Sequence, residues 1–431
     1  MTEFRFPPRT AVAIVIANMI GTGVFVSLGY QLQDIQSPFV LLMLWLVGGV
    51  TALCGALTYA ELGANLPRSG GEYHFLSRLY HPMFGFISGW VSVTVGFAAP
   101  TALVAMTFAA YLHPATPGIP PSLAAISLVL LLAIFHSISR RSSSHTQMIF
   151  TSIKVLLLTL FVLMVLTVSD NPQPVSLKPM PEDWAMLVTG TFAVALIFVG
   201  YAYTGWNAAV YMISEMEDPR RRLPLVLVAG TSVVMVLYIM LNYSFLLAAP
   251  MSALEGETEI ALIAARYALG DNTGYMLISI VFALLFVSTV SAMTMAGPRV
   301  LQVIGEDFVT FRWLSRTNRH GVPVIAIVCQ SLLAVLFILT ASFESVLLFT
   351  SFVLTLNTFF TILGVFVLRW RGMNQQGAYK TWGYPITPLV YLAITSWTLV
   401  YIMLNNPVEG LAGLAIIFTG ALFYLVIGKR I

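Results

Sequence analysis

Ile20-Gly21-Thr22-Gly23-Val24-Phe25 and Gly200-Tyr201-Ala202-Tyr203-Thr204-Gly205-Trp206-Asn207 are the two stretches on which the reading of this chain turns. Each interrupts a long apolar run with glycines and hydroxyls. A glycine in a helix interior costs about 1 kcal/mol relative to alanine, and it lets the backbone leave helical geometry. Two readings compete. Glycines three or four apart allow neighbouring helices to pack closely. Alternatively the helix breaks, and the freed amides and carbonyls need partners that a lipid environment does not provide.

Outward from these stretches the chain is apolar almost throughout. Of 431 residues, 58% are hydrophobic and 9% charged, against about a quarter charged in a soluble domain. Runs such as Val155 to Val168 and Leu411 to Ile427 carry no charge and have roughly the twenty-residue length of a bilayer core. The expected class is therefore an all-α integral membrane protein. Spans are expected near 10–30, 38–60, 84–111, 122–139, 146–168, 187–212, 224–247, 274–304, 322–341, 345–369, 386–404 and 408–428. The first apolar run lacks a small-residue cleavage site before a polar region, so it reads as a retained span rather than a signal peptide. The loop Pro250 to Asp271 contains a helical-looking stretch, Glu257 to Ala268, expected on the surface.

With twelve spans, one set of connections and both tails hold seventeen of the 21 Lys and Arg residues: Arg5, Arg9, Arg68, Arg78, Arg140, Arg141, Arg220, Arg221, Arg222, Arg312, Arg316, Arg319, Arg369, Arg371, Lys380, Lys429 and Arg430. The opposite loops hold Lys178 and Arg266. Positively charged loops stay inside, which places both termini in the cytoplasm. The net charge of +3 is thus segregated by side, and nothing suggests nucleic-acid binding.

If spans 1–5 and 6–10 form two inverted repeats, the glycine-bearing stretches fall at corresponding positions, spans one and six, where paired discontinuous helices are expected. Half-helices meeting at the midplane suit a zwitterion. Amides at a helix N-terminus attract a carboxylate, and carbonyls at a C-terminus accept from an ammonium. An amino acid carries both groups, and such a site needs no charged side chain.

At these residues the sequence resembles the amino acid, polyamine and organocation (APC) transporter superfamily, and within it the L-type amino acid transporter group with its bacterial relatives. The resemblance runs in order over nearly the whole chain. It includes the Gly-Thr-Gly of span one; Tyr59-Ala60-Glu61-Leu62-Gly63; Pro67-Arg68-Ser69-Gly70-Gly71-Glu72-Tyr73; Gly85-Phe86 and Gly89-Trp90. It continues through Tyr203-Thr204-Gly205-Trp206-Asn207, Ser214-Glu215-Met216-Glu217-Asp218-Pro219, Leu223-Pro224 and Tyr379-Lys380-Thr381-Trp382-Gly383-Tyr384-Pro385.

The resemblance implies a LeuT-type 5+5 inverted-repeat fold with discontinuous helices 1 and 6. One transporter domain, 1–431, would contain repeats at about 10–168 and 187–369 and two further helices at about 386–428. It also implies a substrate site formed by Met19, Ile20, Gly21, Thr22, Gly23, Tyr201, Ala202, Thr204 and Asn207. Thr22 and Gly23 would offer amides to the carboxylate, and Met19, Tyr201 and Thr204 carbonyls to the ammonium. Tyr201 would be the outer gate, and Asn207 would support the span-six break.

Lys154 lies about eight residues, or roughly 12 Å, from the cytoplasmic end of its helix, where a buried ammonium is costly unless paired or neutralised. Snorkelling to the interface is one reading. The resemblance implies another, in which the lysine replaces the sodium ion of distant relatives and bridges spans one and eight. Ser291 is then the expected span-eight partner, with Thr289 as the alternative. Sodium independence follows, with either amino acid exchange or, if burial depresses the lysine pKa, proton coupling.

Glu61 and Glu215 are expected to pair with arginines at the inner face, with Arg299 capping the inner end of span eight. His74, His81, His113, His136, His145 and His320 form no metal pattern, and Cys54 and Cys329 have no ligand spacing. No metal or cofactor is expected. Trp45, Trp184 and Trp370 read as interface anchors. Ala99, Thr101 and Asn357 are candidates for side-chain selectivity, and a basic substrate is disfavoured because no acidic residue falls at mid-membrane. A membrane enzyme would need paired aspartates or a Ser/His pair, and a channel would need a filter or a pore-lining ring; neither pattern is present. The expectation is a secondary transporter of small neutral L-amino acids. The outer loop Leu112 to Pro121 has no cysteine, so no disulfide-linked heavy subunit is expected, and a bacterial inner membrane location fits best.

Overall fold

A computed structural model describes residues 5–138, 140–168, 172–269, 272–340 and 343–427. Lys429 and Arg430, counted above with the inner cations, lie outside these residues. Among the described residues the architecture is helical, and the one β-bridge joins Phe6 to Met216. Nine helices among the described residues are long and apolar enough to cross a membrane, and shorter apolar helices include Pro121–His136, Gly190–Ala202 and Val324–Thr340.

Prolines start many of these helices. Pro38, Pro82, Pro121, Pro219 and Pro407 each open one, because a first-turn residue needs no amide hydrogen and the fixed φ of proline is already helical. Ser37 and His81 cap the second and third spans, accepting from Val40 N at 3.3 Å and Met83 N at 3.2 Å. Span three changes pitch midway, with a π-helical segment Ser92–Phe97 inside the run Pro82–Leu112.

Both glycine stretches are breaks. Span one consists of Pro8–Met19 and Gly23–Leu32; Ile20 leaves helical geometry with ψ 84°, and Gly21 N turns back to Met19 O at 2.8 Å. Span six runs as Gly190–Ala202, then through turns, and continues as the 3-10 helix Ala208–Glu215. Gly205 has φ +97°, a left-handed conformation that an L side chain adopts only at a cost.

Two expectations about exposure are corrected. The outer-loop stretch forms the helix Ile260–Leu269, but Ile260, Ala261, Leu262, Ala264 and Ala265 are buried. Its apolar face packs down on the outer half of span one, where Gly256 N donates to Gly29 O at 2.9 Å. Trp45 is fully buried between the rings of Tyr203 and Tyr238 rather than anchored at an interface. Trp184 and Trp370 are exposed.

Candidate functional site

The two breaks face each other. A Cβ on Gly23 would lie 2.4 Å from Ala202 Cα, and one on Gly205 would lie 2.8 Å from the Asn18 carbonyl carbon. The inner end of one interrupted helix therefore lies against the linker of the other. The resumed helix Gly23–Leu32 aims its first-turn amides at this junction, and such amides have no partner within their own helix. Thr22, 1% exposed, stands at its N-cap beside the Tyr201 phenol.

Several of the freed carbonyls are bonded within the protein. Met19 O accepts from Gly21 N at 2.8 Å and from Tyr238 Oη at 2.6 Å; the same hydroxyl lies 3.0 Å from Ala202 O. Tyr201 O accepts from Thr204 N at 2.9 Å and from Thr204 Oγ1 at 2.7 Å. Met19 O, expected to face an ammonium, is thus occupied by donors of the protein itself, one of them the Tyr238 hydroxyl from span seven. Tyr238 was not singled out in the sequence, where a tyrosine in an apolar run carries no distinguishing signal.

Tyr201 is buried at 5% exposure and packs with Ala99, Leu103 and Val346. Phe198, one turn earlier, stacks on Tyr30 at 5.1 Å between ring centres. Ser27 Oγ donates to Phe198 O at 3.2 Å, so the outer halves of spans one and six are also in contact.

Lys154 is 1% exposed and does not snorkel. Its ammonium donates to Thr289 Oγ1 at 2.6 Å, Ile20 O at 2.9 Å and Ala17 O at 3.5 Å. It therefore joins span five to the broken end of span one and to span eight. The span-eight partner is Thr289, and Ser291 is corrected. Two residues along a helix turn the side chain by about 200°, so Ser291 faces away, hydrogen-bonded to His136 Nε2 at 2.8 Å and donating to Gln147 Oε1 at 2.8 Å. Gln147, Thr151 and Lys154 share one face of span five, and Thr151 Oγ1 donates to Ala13 O at 3.2 Å. This stripe holds the inner half of span one by its carbonyls.

A second correction concerns acidic residues. Glu72 opens the short helix Glu72–Leu79 after span two. It is 1% exposed and lies on the wall of the central cavity. Its Oε1 accepts from Tyr59 Oη at 2.6 Å and Asn207 Nδ2 at 2.8 Å; its Oε2 accepts from Tyr211 Oη at 2.7 Å and Asn357 Nδ2 at 2.6 Å. Burial pushes its carboxyl above the ordinary range, and these four donors pull it back. The carboxylate is saturated, so it ties span two, the span-six linker and span ten together without offering a free lone pair to a substrate. Asn207 in the span-six linker and Asn357 in span ten thus both donate to this one carboxylate.

Both carboxylates expected to pair with arginines do so: Arg299 meets Glu215 at 2.9 Å, and Arg369 meets Glu61 at 2.8 Å. Arg68 pairs with Asp307 at 2.9 Å and Glu306 at 3.3 Å. Phe6 N donates to Glu215 O at 2.8 Å, and Glu217 N donates to Phe6 O at 3.1 Å.

The central cavity contains about 110 Å³ of water-accessible space and reaches Asn18, Phe97, Thr204, Gly205 and Met293. An interrupted pair of helices, a buried cation behind one break and a cavity at the other make up the site, and no group of His, Cys, Asp or Glu that could hold a metal occurs among the described residues.

Comparison with known proteins agrees with this geometry. The chain is 28% identical to the Asc-type amino acid transporter 1 of Mus musculus over 430 residues, covering 96% of this chain and 80% of that one. It is 30% identical to the large neutral amino acids transporter small subunit 2 of Homo sapiens over 439 residues, 97% and 79% of the two chains. It is 25% identical to the b(0,+)-type amino acid transporter 1 of Mus musculus, 97% and 86%. Residues 7–427 match the family described as amino acid permease, and the chain belongs to that family.

Proposed function

We propose that this multi-pass membrane transporter exchanges small neutral L-amino acids across the bilayer by alternating access, independently of sodium. The observation that carries the reading is the contact between the two helix breaks at Gly23–Ala202 and Gly205–Asn18. The amides of Thr22 and Gly23 bind the substrate carboxylate. The Thr204 carbonyl takes the ammonium, together with the Tyr201 carbonyl, from which the Thr204 hydroxyl can rotate away. Ile20 and Gly21 supply the bend, Ala202 the matching wall, Asn207 the support and Tyr201 the outer gate. One relative named above is called an amino acid transporter and another a large neutral amino acids transporter, which supports the substrate class.

The topology that fits is twelve spans in a LeuT-type arrangement, with repeats at about 10–168 and 187–369 and two additional helices. Nine long apolar helices among the described residues, together with the shorter Pro121–His136, Gly190–Ala202 and Val324–Thr340, support it. Both termini face the cytoplasm of a bacterial inner membrane. Since both cysteines lie within spans, the chain works without a disulfide-linked heavy subunit.

Lys154 stands where an ion would otherwise bridge spans one and eight, which supports sodium independence. A second reading, proton-coupled transport, is favoured by its partners being neutral: a hydroxyl and two carbonyls. Purified protein in liposomes preloaded with single amino acids tests both. Exchange predicts uptake stimulated by internal substrate and unaffected by sodium; proton coupling predicts uptake driven by an inward proton gradient into empty liposomes. Strict sodium dependence rejects both.

A further inference from the structure

His136 is a buried imidazole to which the transport reading gives no task. It ends the helix Pro121–His136 and is 2% exposed, and its Nε2 lies 2.8 Å from Ser291 Oγ. Buried polar groups keep hydrogen-bond partners, so the direction of each bond around it can be read from the group at the far end.

That far end is a carbonyl. Gln147 Nε2 lies 3.3 Å from Ser288 O, which can only accept, so the amide nitrogen of Gln147 stands on that side and Oε1 on the other. Oε1 then accepts from Ser291 Oγ at 2.8 Å. With its proton spent there, Ser291 has only lone pairs to offer the imidazole, and His136 Nε2 must carry a hydrogen and donate it. Gln147 Nε2 also donates to Thr151 Oγ1 at 3.2 Å, whose own proton is shared between Gln147 O at 2.8 Å and Ala13 O at 3.2 Å. His136, Ser291, Gln147 and Thr151 thus form one file of donors, each at least nine-tenths buried. It runs from span four through spans eight and five to span one.

The file ends beside a second one. Lys154 donates to Ala17 O and Ile20 O, and positions 13, 17 and 20 follow at four and three residues, on one face of the inner half of span one. The two files hold the half-helix Pro8–Met19 by carbonyls of that face. The resumed helix Gly23–Leu32 is held by other neighbours: Ser27 Oγ donates to Phe198 O, and Gly29 O accepts from Gly256 N.

We infer that His136 is a positioning residue for transport: the hydrogen on its Nε2 fixes Ser291 and Gln147 in one orientation, and through them sets how firmly the inner half of span one is held against span five. The inference rests on the proposed alternating access and deepens it. A turnover requires that half-helix to be released and seized again, whereas the Gly23 amide proposed to bind the carboxylate belongs to the outer half. Cutting the file therefore slows turnover and spares substrate affinity.

The test compares His136→Gln with His136→Asn in the full-length protein. A glutamine amide nitrogen falls near the place of Nε2 and an asparagine nitrogen near that of Nδ1, so glutamine restores the donor to Ser291 and asparagine does not. Losing one neutral hydrogen bond shifts an equilibrium roughly two- to tenfold. In liposome exchange of labelled alanine, His136→Asn and Ser291→Ala should each lower kcat about fivefold, with KM within about twofold of the parent. His136→Gln should keep at least half of the parent kcat. The double variant of His136→Asn with Ser291→Ala should be no slower than either single one, because both changes cut the same file. Ser291→Ala also serves as the test if His136→Asn does not fold. Deuterium uptake read by mass spectrometry is independent of transport: it should quicken over Pro8–Met19 in His136→Asn and Ser291→Ala and stay at the parent level over Gly23–Leu32. Equal kcat in the glutamine and asparagine variants, parallel changes in KM and kcat, or the same deuterium uptake change in both halves would overturn the inference. Parent protein that exchanges no amino acid would reject the transport reading alone, and the deuterium pattern would still decide whether His136 holds the inner half-helix.

Discussion

Replacing Glu72 by glutamine tests whether a saturated carboxylate organises the span-six break. The native group accepts four hydrogen bonds of 2.6–2.8 Å from Tyr59, Asn207, Tyr211 and Asn357. Hydrogen bonds to a charged group contribute about 1.5–3 kcal/mol each. A glutamine keeps one oxygen and presents a donor where the other oxygen stood, so two of the four bonds lose their acceptor, a gross loss of about 3–6 kcal/mol. Two effects offset it. The cost of burying a charge disappears, and a tyrosine hydroxyl can rotate to accept from the new amide. A net loss of about 1–3 kcal/mol remains. Purified Glu72→Gln should therefore melt several degrees lower than the parent. Exchange should slow about tenfold, since each 1.4 kcal/mol on a barrier is one factor of ten. Glu72→Gln combined with Asn207→Asp moves the acceptor across the same 2.8 Å contact and should recover at least half of both losses. Glu72→Leu, with four buried donors left unpaired, should not yield folded protein. If Glu72→Gln melts and transports like the parent, or Glu72→Leu folds, the carboxylate does not hold the junction.

Other perturbations follow from the same geometry. Lys154→Met removes the donor to Ile20 O and Thr289 and should cut exchange at least tenfold in liposome uptake; Lys154→Arg should not restore it, because a planar guanidinium does not fit a site built around a point charge. Gly205→Ala combines a left-handed backbone, about 1–2 kcal/mol for an L residue, with a Cβ 2.8 Å from Asn18, and should abolish substrate-dependent thermal stabilisation; a variant that still binds would show the close approach to be dispensable. Arg299→Gln removes the guanidinium that meets Glu215 at 2.9 Å, and a drop in melting temperature would report the loss. Exchanging the two residues, Arg299→Glu with Glu215→Arg, should recover part of that loss.

The breaks themselves were legible because glycine and hydroxyl residues stand out against an apolar background, and because lipid penalises a backbone group that has no partner. Span limits were legible for a similar reason: prolines and charges mark where helices leave the hydrocarbon, so the expected 38–60 and 386–404 became Pro38–Asn65 and Ile386–Asn405. Rotational register was not legible. Thr289 and Ser291 both lie on a span that is apolar on every side, and no amphipathic stripe says which of them faces Lys154; the choice depends on how His136 and Gln147 pack from two other helices. Glu72 was hidden differently. It follows Arg68-Ser69-Gly70-Gly71, which reads as an inner loop where a carboxylate belongs in water. Its burial becomes legible only once Tyr59, Asn207, Tyr211 and Asn357 are known to converge from separate helices. In a protein with so few charges, a side chain with that many donors around it cannot be a surface ornament. The residues hardest to read from sequence are thus the ones that couple helices, since their partners are remote along the chain. The ones easiest to read act through their own backbone.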